Sequence, residues 1–394
     1  MMGRCHSMWN KLKVVKKPKD RTLLQRIVVM AVVALLVCGL VSLIIFWNEL
    51  HMNARLLRLK YWLAGGERTY GTYSFDAHNS NCYADFEDGL AVASVSGLST
   101  YSSDGRLAFL SQGHLTLPQI QSAKNMVMAY DAGGNMLLAV HKNTGEVLRV
   151  ETEKAILDAD IAESGDICFL SSEGGYKSVL TVYNKKQELI YRWLSTSTFF
   201  SLCAVSENGK EMAAIGLDQK NGSFASTLNF FRTDSDQIAQ TVNLGSELIY
   251  DLMYVDEDTL CTIGEDGVTY FSNNGEELKT YGYDGGYLKD FDNCGNGFLA
   301  LSLNTYRAGN RYSLVVMDDV MEEPVTVYVG QEILDLSAAG KYIAVLTPRG
   351  LIVYDRNLSV CSQTEDTKGA TAVLMREDGT VLLLGGGTGT LYIP

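Results

Sequence analysis

Five aspartates recur at similar places in a series of short apolar segments, and their carboxylates could form a charged site. Each stands near the beginning of a segment expected to be the innermost strand of a repeat: Asp85, Asp158, Asp251, Asp290 and Asp335. In a radial arrangement such strands line a central channel, so the carboxylates would form a ring at one mouth. Clustered like charges focus the field, which favours a cation or a basic partner group. The alternative is that each aspartate bonds backbone amides of a neighbouring turn.

Three longer loops carry aromatic and basic residues together. The segments are 171–178, 217–226 and 304–313, and each is expected to join the second and third strands of its repeat. The candidate binding residues are Tyr176, Lys177, Tyr306, Arg307, Arg311 and Tyr312, with Lys220 and Phe224 in the middle segment. Tyrosine and arginine are enriched at protein interfaces, so these loops predict a binding surface. The alternative is three solvated loop tips without a role, because long loops vary freely.

The sequence shows no motif typical of catalysis or metal binding. The histidines that follow residue 50 are His51, His78, His114 and His141, and no two of them form an H-x-x-x-H pair. The glycine run at 385–390 follows a strand-like segment but precedes no helix, which predicts a tight turn and not a phosphate loop. We therefore expect no cofactor and no metal. A lyase or hydrolase would need one of these histidines beside the carboxylate ring.

The elements that would position these residues are short β-strands in a repeating unit. From Arg68 onward, runs rich in β-branched and aromatic residues alternate with NG, DG, GG and SG turn signals. Residues 154–197 show the unit best, with four strands, which is the signature of a propeller blade. The unit recurs seven times, with predicted bounds 82–113, 114–153, 154–197, 198–245, 246–285, 286–330 and 331–368.

The last segment, 369–394, supplies only three strands. Residues 69–75 offer the missing fourth, and pairing the two ends of the ring would remove exposed sheet edges. The sequence therefore predicts an all-β, eight-bladed β-propeller over residues 68–394. Seven blades is the alternative, if 82–113 is not a true unit.

An apolar segment precedes the repeats and predicts a membrane anchor. Residues 27–47 contain no charge and no proline, and a helix of this length spans roughly 30 Å, the thickness of the hydrocarbon core. Residues 1–26 hold eight Lys or Arg and one Asp. This bias places the basic arm in the cytoplasm and the C-terminal domain outside the cell membrane. A cleaved signal peptide is the competing interpretation, but its apolar region would be shorter and end in small residues.

Residues 48–67 are predicted to form a helical stalk that ends at Gly65-Gly66. The whole chain has 33 Lys or Arg and 46 Asp or Glu, so the part beyond residue 47 carries a net charge of about −20. Nucleic acids and anionic membrane surfaces require a basic footprint on their partner. Neither is therefore expected to bind the large domain.

Six cysteines follow the apolar segment: Cys82, Cys168, Cys203, Cys261, Cys294 and Cys361. None forms a CxxC motif, and none has the spacing to histidine that a zinc site requires. Most are expected to be small buried hydrophobic residues. A disulfide framework is the alternative in an oxidising compartment, although a domain of this size does not need one.

Two sequence patterns carry a resemblance to known propellers. The segment HKNTGEVLRV at 141–150 resembles the D-x-x-T-G-x-x-x-W turn of quinoprotein-type repeats, although the tryptophan is absent, and NNGEELKTY at 273–281 is a weaker match. The GH and WD dipeptides of WD-repeat propellers are missing. The order of basic arm, anchor and propeller is similar to an uncharacterised family from Gram-positive bacteria, which implies this fold and topology.

These observations predict a non-enzymatic scaffold or recognition module that binds an envelope or secreted protein. That step rests on analogy between folds. The alternative function is a sensor that binds a ligand or glycan at the channel mouth.

Overall fold

The computed structural model describes residues 72–87, 89–220, 222–295, 297–318 and 323–394, together with residues 29, 30, 32, 33, 37 and 59. The chain divides into two units, Met1–Asn53 and Ala54–Pro394. The few described residues between 29 and 37 are helical and exposed. Among the described residues, no helix is long and apolar enough to cross a bilayer. The predicted anchor at 27–47 and stalk at 48–67 fall almost entirely outside the described residues, as does the basic arm.

The second unit contains thirty-two described β-strands, which form eight four-stranded antiparallel sheets. We number the sheets as blades in chain order. Blade 1 is β2–β5 (Cys82–Ala84, Leu90–Ser94, Gly97–Tyr101, Leu107–Gln112), and blade 2 is β6–β9 (Pro118–Ala123, Met126–Asp131, Met136–His141, Gly145–Glu151). Blade 3 is β10–β13 (Ile156–Ile161, Ile167–Glu173, Tyr176–Tyr183, Leu189–Ser195), and blade 4 is β14–β17 (Phe199–Val205, Glu211–Lys220, Ser223–Arg232, Gln240–Gly245).

Blades 5 to 8 continue the series around the ring. Blade 5 is β18–β21 (Ile249–Tyr254, Thr259–Gly264, Gly267–Ser272, Glu277–Gly282), and blade 6 is β22–β25 (Tyr287–Gly295, Phe298–Asn304, Tyr312–Asp318, Val325–Tyr328). Blade 7 is β26–β29 (Asp335–Ala339, Tyr342–Thr347, Gly350–Asp355, Val360–Thr364). Blade 8 combines β30–β32 (Ala372–Met375, Val381–Gly385, Thr388–Tyr392) with β1 (Tyr73–Ser74). The prediction of an all-β, eight-bladed propeller is confirmed. Residues 82–113 form a complete blade, so the seven-blade alternative was wrong.

The ring closes at blade 8, where the outermost strand comes from the other end of the domain. Tyr73 and Ser74 of β1 pair with Gly389 and Thr388 of β32. The turn between β31 and β32 contains Gly386 and Gly387, both with positive φ, a backbone conformation that glycine adopts without strain. The glycine run at 385–390 is therefore a hairpin turn, as the sequence predicted.

The core consists of eight apolar clusters, one at each interface between neighbouring blades. The second strand of a blade is flanked by strands on both sides and by sheets on both faces, which explains why its residues are almost all apolar. β7 and β23, for example, are buried along their whole length. The outermost strands alternate between exposed residues and buried or half-buried ones, as expected of strands with one solvated face.

Candidate functional site

The innermost strands present a particular hydrogen-bonding problem that explains where the carboxylates lie. Each such strand has a sheet partner on one side only, so its other edge carries unpaired backbone amides. A buried amide without an acceptor costs free energy, so an acceptor must be supplied by a side chain or by water. In this ring, aspartates of one blade supply acceptors to the innermost strand of the next blade.

Four such contacts between neighbouring blades carry the pattern. The Oδ2 atom of Asp158 accepts a hydrogen bond from the backbone amide of Cys203 at 2.8 Å, and that of Asp160 accepts one from Val205 at 2.8 Å. Later in the ring, Asp292 Oδ2 accepts from Ala338 at 3.0 Å and Asp335 Oδ2 accepts from Val373 at 2.6 Å. These four aspartates are inter-blade latches: each acceptor belongs to one blade and each donor to the next.

Burial sets the acidity of these carboxyl groups. Loss of solvent raises the pKa of Asp158 and Asp290 to about 6 and that of Asp160, Asp251 and Asp335 to about 7, because the charged form is poorly hydrated in the interior. The amide hydrogen bonds oppose the rise, since they favour the ionised form. Asp251 accepts a bond from the amide of Leu252 at 2.8 Å, and the nearby charges of Asp158 and Asp160 raise its pKa further. Four of the five predicted carboxylates, those of Asp158, Asp251, Asp290 and Asp335, are thus largely withdrawn from solvent and have a raised pKa.

Asp85 does not belong with the other four predicted aspartates. It lies immediately after the end of β2 and not near the start of the innermost strand, which corrects the expectation from the sequence. Its carboxylate forms an ion pair with Arg376, with 3.3 Å between Oδ1 and Nε. The same guanidinium donates to the carbonyl of Gly89 at 2.6 Å and to the hydroxyl of Tyr73 at 3.2 Å. Arg376 therefore joins blade 8, blade 1 and the closing strand β1.

The sequence reasoning missed several members of this network. Asp160, Asp292 and Arg376 were not singled out, although the first two stand two residues after a predicted aspartate. Because side chains alternate across a strand, residues two apart share one face. The recurring D-x-D pattern at 158–160 and 290–292 was the available signal. Nothing local distinguishes Arg376 from a surface arginine.

The second predicted surface lies at one face of the ring, which we call the hairpin face. It is formed by the turns between second and third strands and by the beginnings of the innermost strands, which alternating strand directions place together. Exposed large apolar and aromatic side chains concentrate there: Leu117, Tyr176, Phe199, Phe224, Leu248, Tyr250, Tyr287, Tyr306 and Leu334. Clustered exposed apolar surface of this kind marks interaction sites. At the opposite face, exposed large apolar side chains lie where outermost strands begin, at Leu107, Leu189, Val325 and Val360.

Two of the three predicted loops are hairpins and not loops. Strands β11 and β12 extend to a two-residue turn at Gly174-Gly175, and β15 and β16 extend to residues 220 and 223. Tyr176 is exposed on the hairpin between β11 and β12, and the neighbouring Lys177 Nζ donates to the carbonyl of Ser197 at 2.6 Å. Only residues 305–311, in blade 6, form an extended loop.

The blade 6 loop is held from within by one buried residue. The side chain of Asn304, which is fully buried, donates to the carbonyl of Gly309 at 2.8 Å and accepts from the amide of Tyr306 at 3.1 Å. The amide of Thr305 donates to the carbonyl of Arg311 at 3.1 Å. These bonds close both ends of the loop, so its exposed side chains project from an ordered backbone.

Two arginines of this loop stack on tyrosine rings. The guanidinium carbon of Arg307 lies 5.5 Å from the ring centre of Tyr287, and that of Arg311 lies 6.0 Å from the ring centre of Tyr306. Both distances are in the range of a cation–π contact. Lys289 Nζ fixes the loop by donating to the carbonyl of Arg307 at 2.9 Å. We call Tyr250, Tyr287, Tyr306, Arg307 and Arg311 the arginine–tyrosine cluster.

Part of the arginine–tyrosine cluster is exposed to solvent. Tyr306 is 51% exposed and Tyr250 is 45% exposed. Partial burial raises the pKa of Tyr250 and the charge of Arg307 opposes that rise, which places the guanidinium near this ring as well. No carboxylate among the described residues forms an ion pair with Arg307 or Arg311. Tyr312, by contrast, is only 7% exposed and packs in the core between blades 6 and 7, so the expectation that it lies on the surface was wrong.

The described histidines lie outside the innermost strands. His78 follows β1, His114 follows β5, and His141 ends β8, and none lies on an innermost strand. Among the described residues, the side chains of His78 and His141 form hydrogen bonds only with nearby residues of their own turns. His51 lies outside the described residues. No group of three or more potential ligands forms a metal site within the described part of the chain.

Comparisons with solved structures return low-identity propellers. The chain is similar to the β-propeller domain of Cps50 (Swd1) from Myceliophteria thermophila, with 12% identity over 82% of this chain and 99% of that one and a TM-score of 0.47. It is similar to the WD40 repeats of RRP9, with 7% identity, coverage of 70% and 97%, and a TM-score of 0.46. It is also similar to hydrazine synthase from Kuenenia stuttgartiensis, with 10% identity, coverage of 70% and 94%, and a TM-score of 0.48.

Comparisons at the level of sequence give one match. No functionally curated protein shows significant similarity to the chain. Residues 66–382 match the model of a family described as a family of unknown function, DUF5711.

Proposed function

Because the chain belongs to the DUF5711 family, for which no function is assigned, we propose from its surface and its sequence that it is a membrane-anchored recognition scaffold. The hairpin face of the propeller binds a segment of another protein, in the envelope or secreted, outside the cell membrane. The protein performs this role without catalysis. The single observation that carries the proposal is the arginine–tyrosine cluster on the ordered blade 6 loop.

The composition and order of this cluster support binding. Tyrosine and arginine dominate binding hot spots because they offer large contact areas together with hydrogen bonds. A side chain that is already ordered loses less conformational entropy when a partner binds. Asn304 supplies that order for the loop, and stacking on Tyr287 supplies it for Arg307.

The charge of the cluster indicates the chemistry of the partner. Arg307, Arg311 and Lys289 bring three positive charges to one rim of an otherwise acidic domain. A planar guanidinium stacked on a ring keeps its edge free to form two hydrogen bonds to a carboxylate. A protein segment that carries aspartate or glutamate beside apolar residues matches both the arginines and the surrounding exposed rings.

The proposed anchoring rests on the sequence. The uncharged segment 27–47 and the basic arm before it favour a single span with the N-terminus in the cytoplasm. Strand β1 runs antiparallel to β32 and toward the hairpin face, with Tyr73 and Ser74 opposite Gly389 and Thr388.

Proximity labelling in cells tests the binding role. The test variant combines Tyr306→Ala, Arg307→Ala and Arg311→Ala, all at exposed positions of the loop, and leaves the buried Tyr312 intact. The control variant combines Lys186→Ala and Lys210→Ala at exposed positions of the opposite face. We expect a labelled neighbour to be lost in the first variant and kept in the second at equal protein levels. Identical neighbours in both variants would remove the hairpin face as the binding surface.

Protease treatment of intact cells tests the topology. We expect added trypsin to cut the propeller in intact cells, while an epitope placed before residue 26 is cut only after lysis. A propeller that resists trypsin until the membrane is opened, but is cut readily afterwards, would contradict the proposed orientation.

A further inference from the structure

Two buried cysteines from neighbouring blades lie in contact with each other. Cys168 is on β11, the second strand of blade 3, and Cys203 is on β14, the innermost strand of blade 4. Their Sγ atoms are 3.7 Å apart, and the residues are 0% and 2% exposed. The other cysteines with described side chains, Cys82, Cys261 and Cys361, lie in blades 1, 5 and 7.

The surrounding contacts hold the two thiols in place. The backbone amide of Cys203 donates to Asp158 at 2.8 Å, which fixes β14 against the innermost strand of blade 3. The bond from Val205 to Asp160, also 2.8 Å, fixes the same two strands one pleat further on. Both cysteines belong to the apolar cluster between blades 3 and 4. The position of each sulfur therefore follows from inter-blade packing and not from a mobile loop.

We propose that Cys168 and Cys203 form a disulfide that joins blades 3 and 4 when the chain folds in an oxidising compartment. A disulfide has an S–S length of about 2.05 Å, so the sulfurs must approach by roughly 1.7 Å, a shift that two side-chain rotations share. The oxidant is a disulfide of a thiol–disulfide exchange partner. One cysteine thiolate attacks that disulfide and releases one thiol. The second cysteine thiolate then displaces the other thiol, so two protons leave the protein and the oxidant is reduced to two thiols.

Burial decides when this reaction takes place. Burial raises the pKa of the Cys168 thiol and raises that of Cys203 well above its ordinary value, which leaves little thiolate in the folded protein. Solvent and exchange partners also have little access to either sulfur once the blades have packed. The bond forms during folding, before the two blades close, and resists reduction afterwards. It closes a loop that spans 35 positions of the chain and so restricts the unfolded state.

Refolding followed by mass spectrometry tests the proposal. The full chain in detergent is reduced and unfolded, refolded in a buffer of oxidised and reduced glutathione, unfolded again without reductant and treated with iodoacetamide. We expect the peptides that contain Cys168 and Cys203 to be recovered linked, at two hydrogens below their summed mass. Cys82, Cys261 and Cys361 are expected to carry the alkyl group and serve as internal controls. Recovery of Cys168 and Cys203 as alkylated thiols would overturn the proposal.

A measurement of melting temperature gives an independent test. Wild-type protein refolded in glutathione is expected to lose several degrees in Tm when it is unfolded and refolded with a phosphine reductant present. The variant Cys168→Ala/Cys203→Ala is expected to melt at the same temperature under both conditions. An unchanged wild-type Tm would count against the inter-blade bond. Both tests concern the core of blades 3 and 4, so their outcome does not depend on whether the hairpin face binds a partner.

Discussion

The closure of the ring depends on one buried arginine, and its removal should weaken the propeller at a defined place. In the variant Arg376→Met, the apolar stem is kept while the guanidinium is lost. The side chain of Arg376 is 7% exposed, and its partner Asp85 is 39% exposed. Breaking a fully buried ion pair costs about 3–5 kcal/mol. We place this change near the lower end, at about 3 kcal/mol, because water can reach Asp85 once it has lost its partner.

The expected change in melting temperature follows from the size of the domain. Unfolding entropy of about 2.1 cal/mol/K per residue, over a domain of roughly 320 residues, converts 3 kcal/mol into a decrease in Tm of about 4–5 °C. Differential scanning calorimetry of the full chain measures it. The loss of ordered structure should be local at first, because the carbonyl of Gly89 and the hydroxyl of Tyr73 lose their hydrogen-bond donor together. Hydrogen exchange should therefore rise in β1 and β32 before it rises in blade 4.

A surface arginine provides the matched control. Arg232 pairs with Asp234, and these side chains are 55% and 72% exposed. Exposed pairs contribute about 0–1 kcal/mol, so Arg232→Met should shift Tm by less than about 1–2 °C. If Arg376→Met melts at the wild-type temperature, or exchanges fastest in a blade distant from β1, then Arg376 does not hold the ring closed.

Three further predictions concern the buried Asp251, the latch Asp335 and the blade 6 loop. The pKa of Asp251 is about 7 in the folded protein, well above that of an aspartate in the unfolded chain. This group therefore stabilises the fold at acidic pH, and its contribution to the free energy of unfolding is lost as pH rises through about 7. Calorimetry should thus show Asp251→Asn raising Tm at pH 8 and leaving it almost unchanged below pH 4; equal shifts at both values would refute the linkage. Asp335→Ala removes the acceptor of the Val373 amide, so it should cost about 1–3 kcal/mol in denaturant unfolding, whereas Asp335→Asn, which keeps an oxygen, should cost less. Asn304→Ala should accelerate tryptic cleavage within residues 305–311 several-fold, and a wild-type cleavage rate would show that Asn304 does not order the loop.

Local sequence patterns predicted the repeating unit and an eight-bladed ring, with seven blades as the alternative. Alternation of apolar residues within strands, and turn residues between them, fixed seven complete units, and the three-strand remainder at 369–394 required a fourth strand. These are local signals, since a strand and its turn are encoded within about ten residues. The same reasoning placed the aspartates Asp158, Asp251, Asp290 and Asp335 on innermost strands, where the structure has them.

The contacts of these residues became apparent only from the folded ring. Asp158 and the Cys203 amide that it accepts from are 45 positions apart in the chain, and Arg376 and Tyr73 are 303 positions apart. No local sequence pattern could therefore pair them. The unpaired edge of each innermost strand is buried against a neighbouring blade only after the blades are arranged in a ring. Its backbone amides then require acceptors, which the aspartates of the preceding blade supply. Tyr312 was expected at the surface but lies in the core. Its burial depends on packing against the neighbouring blade, which its position next to a loop in the sequence does not reveal.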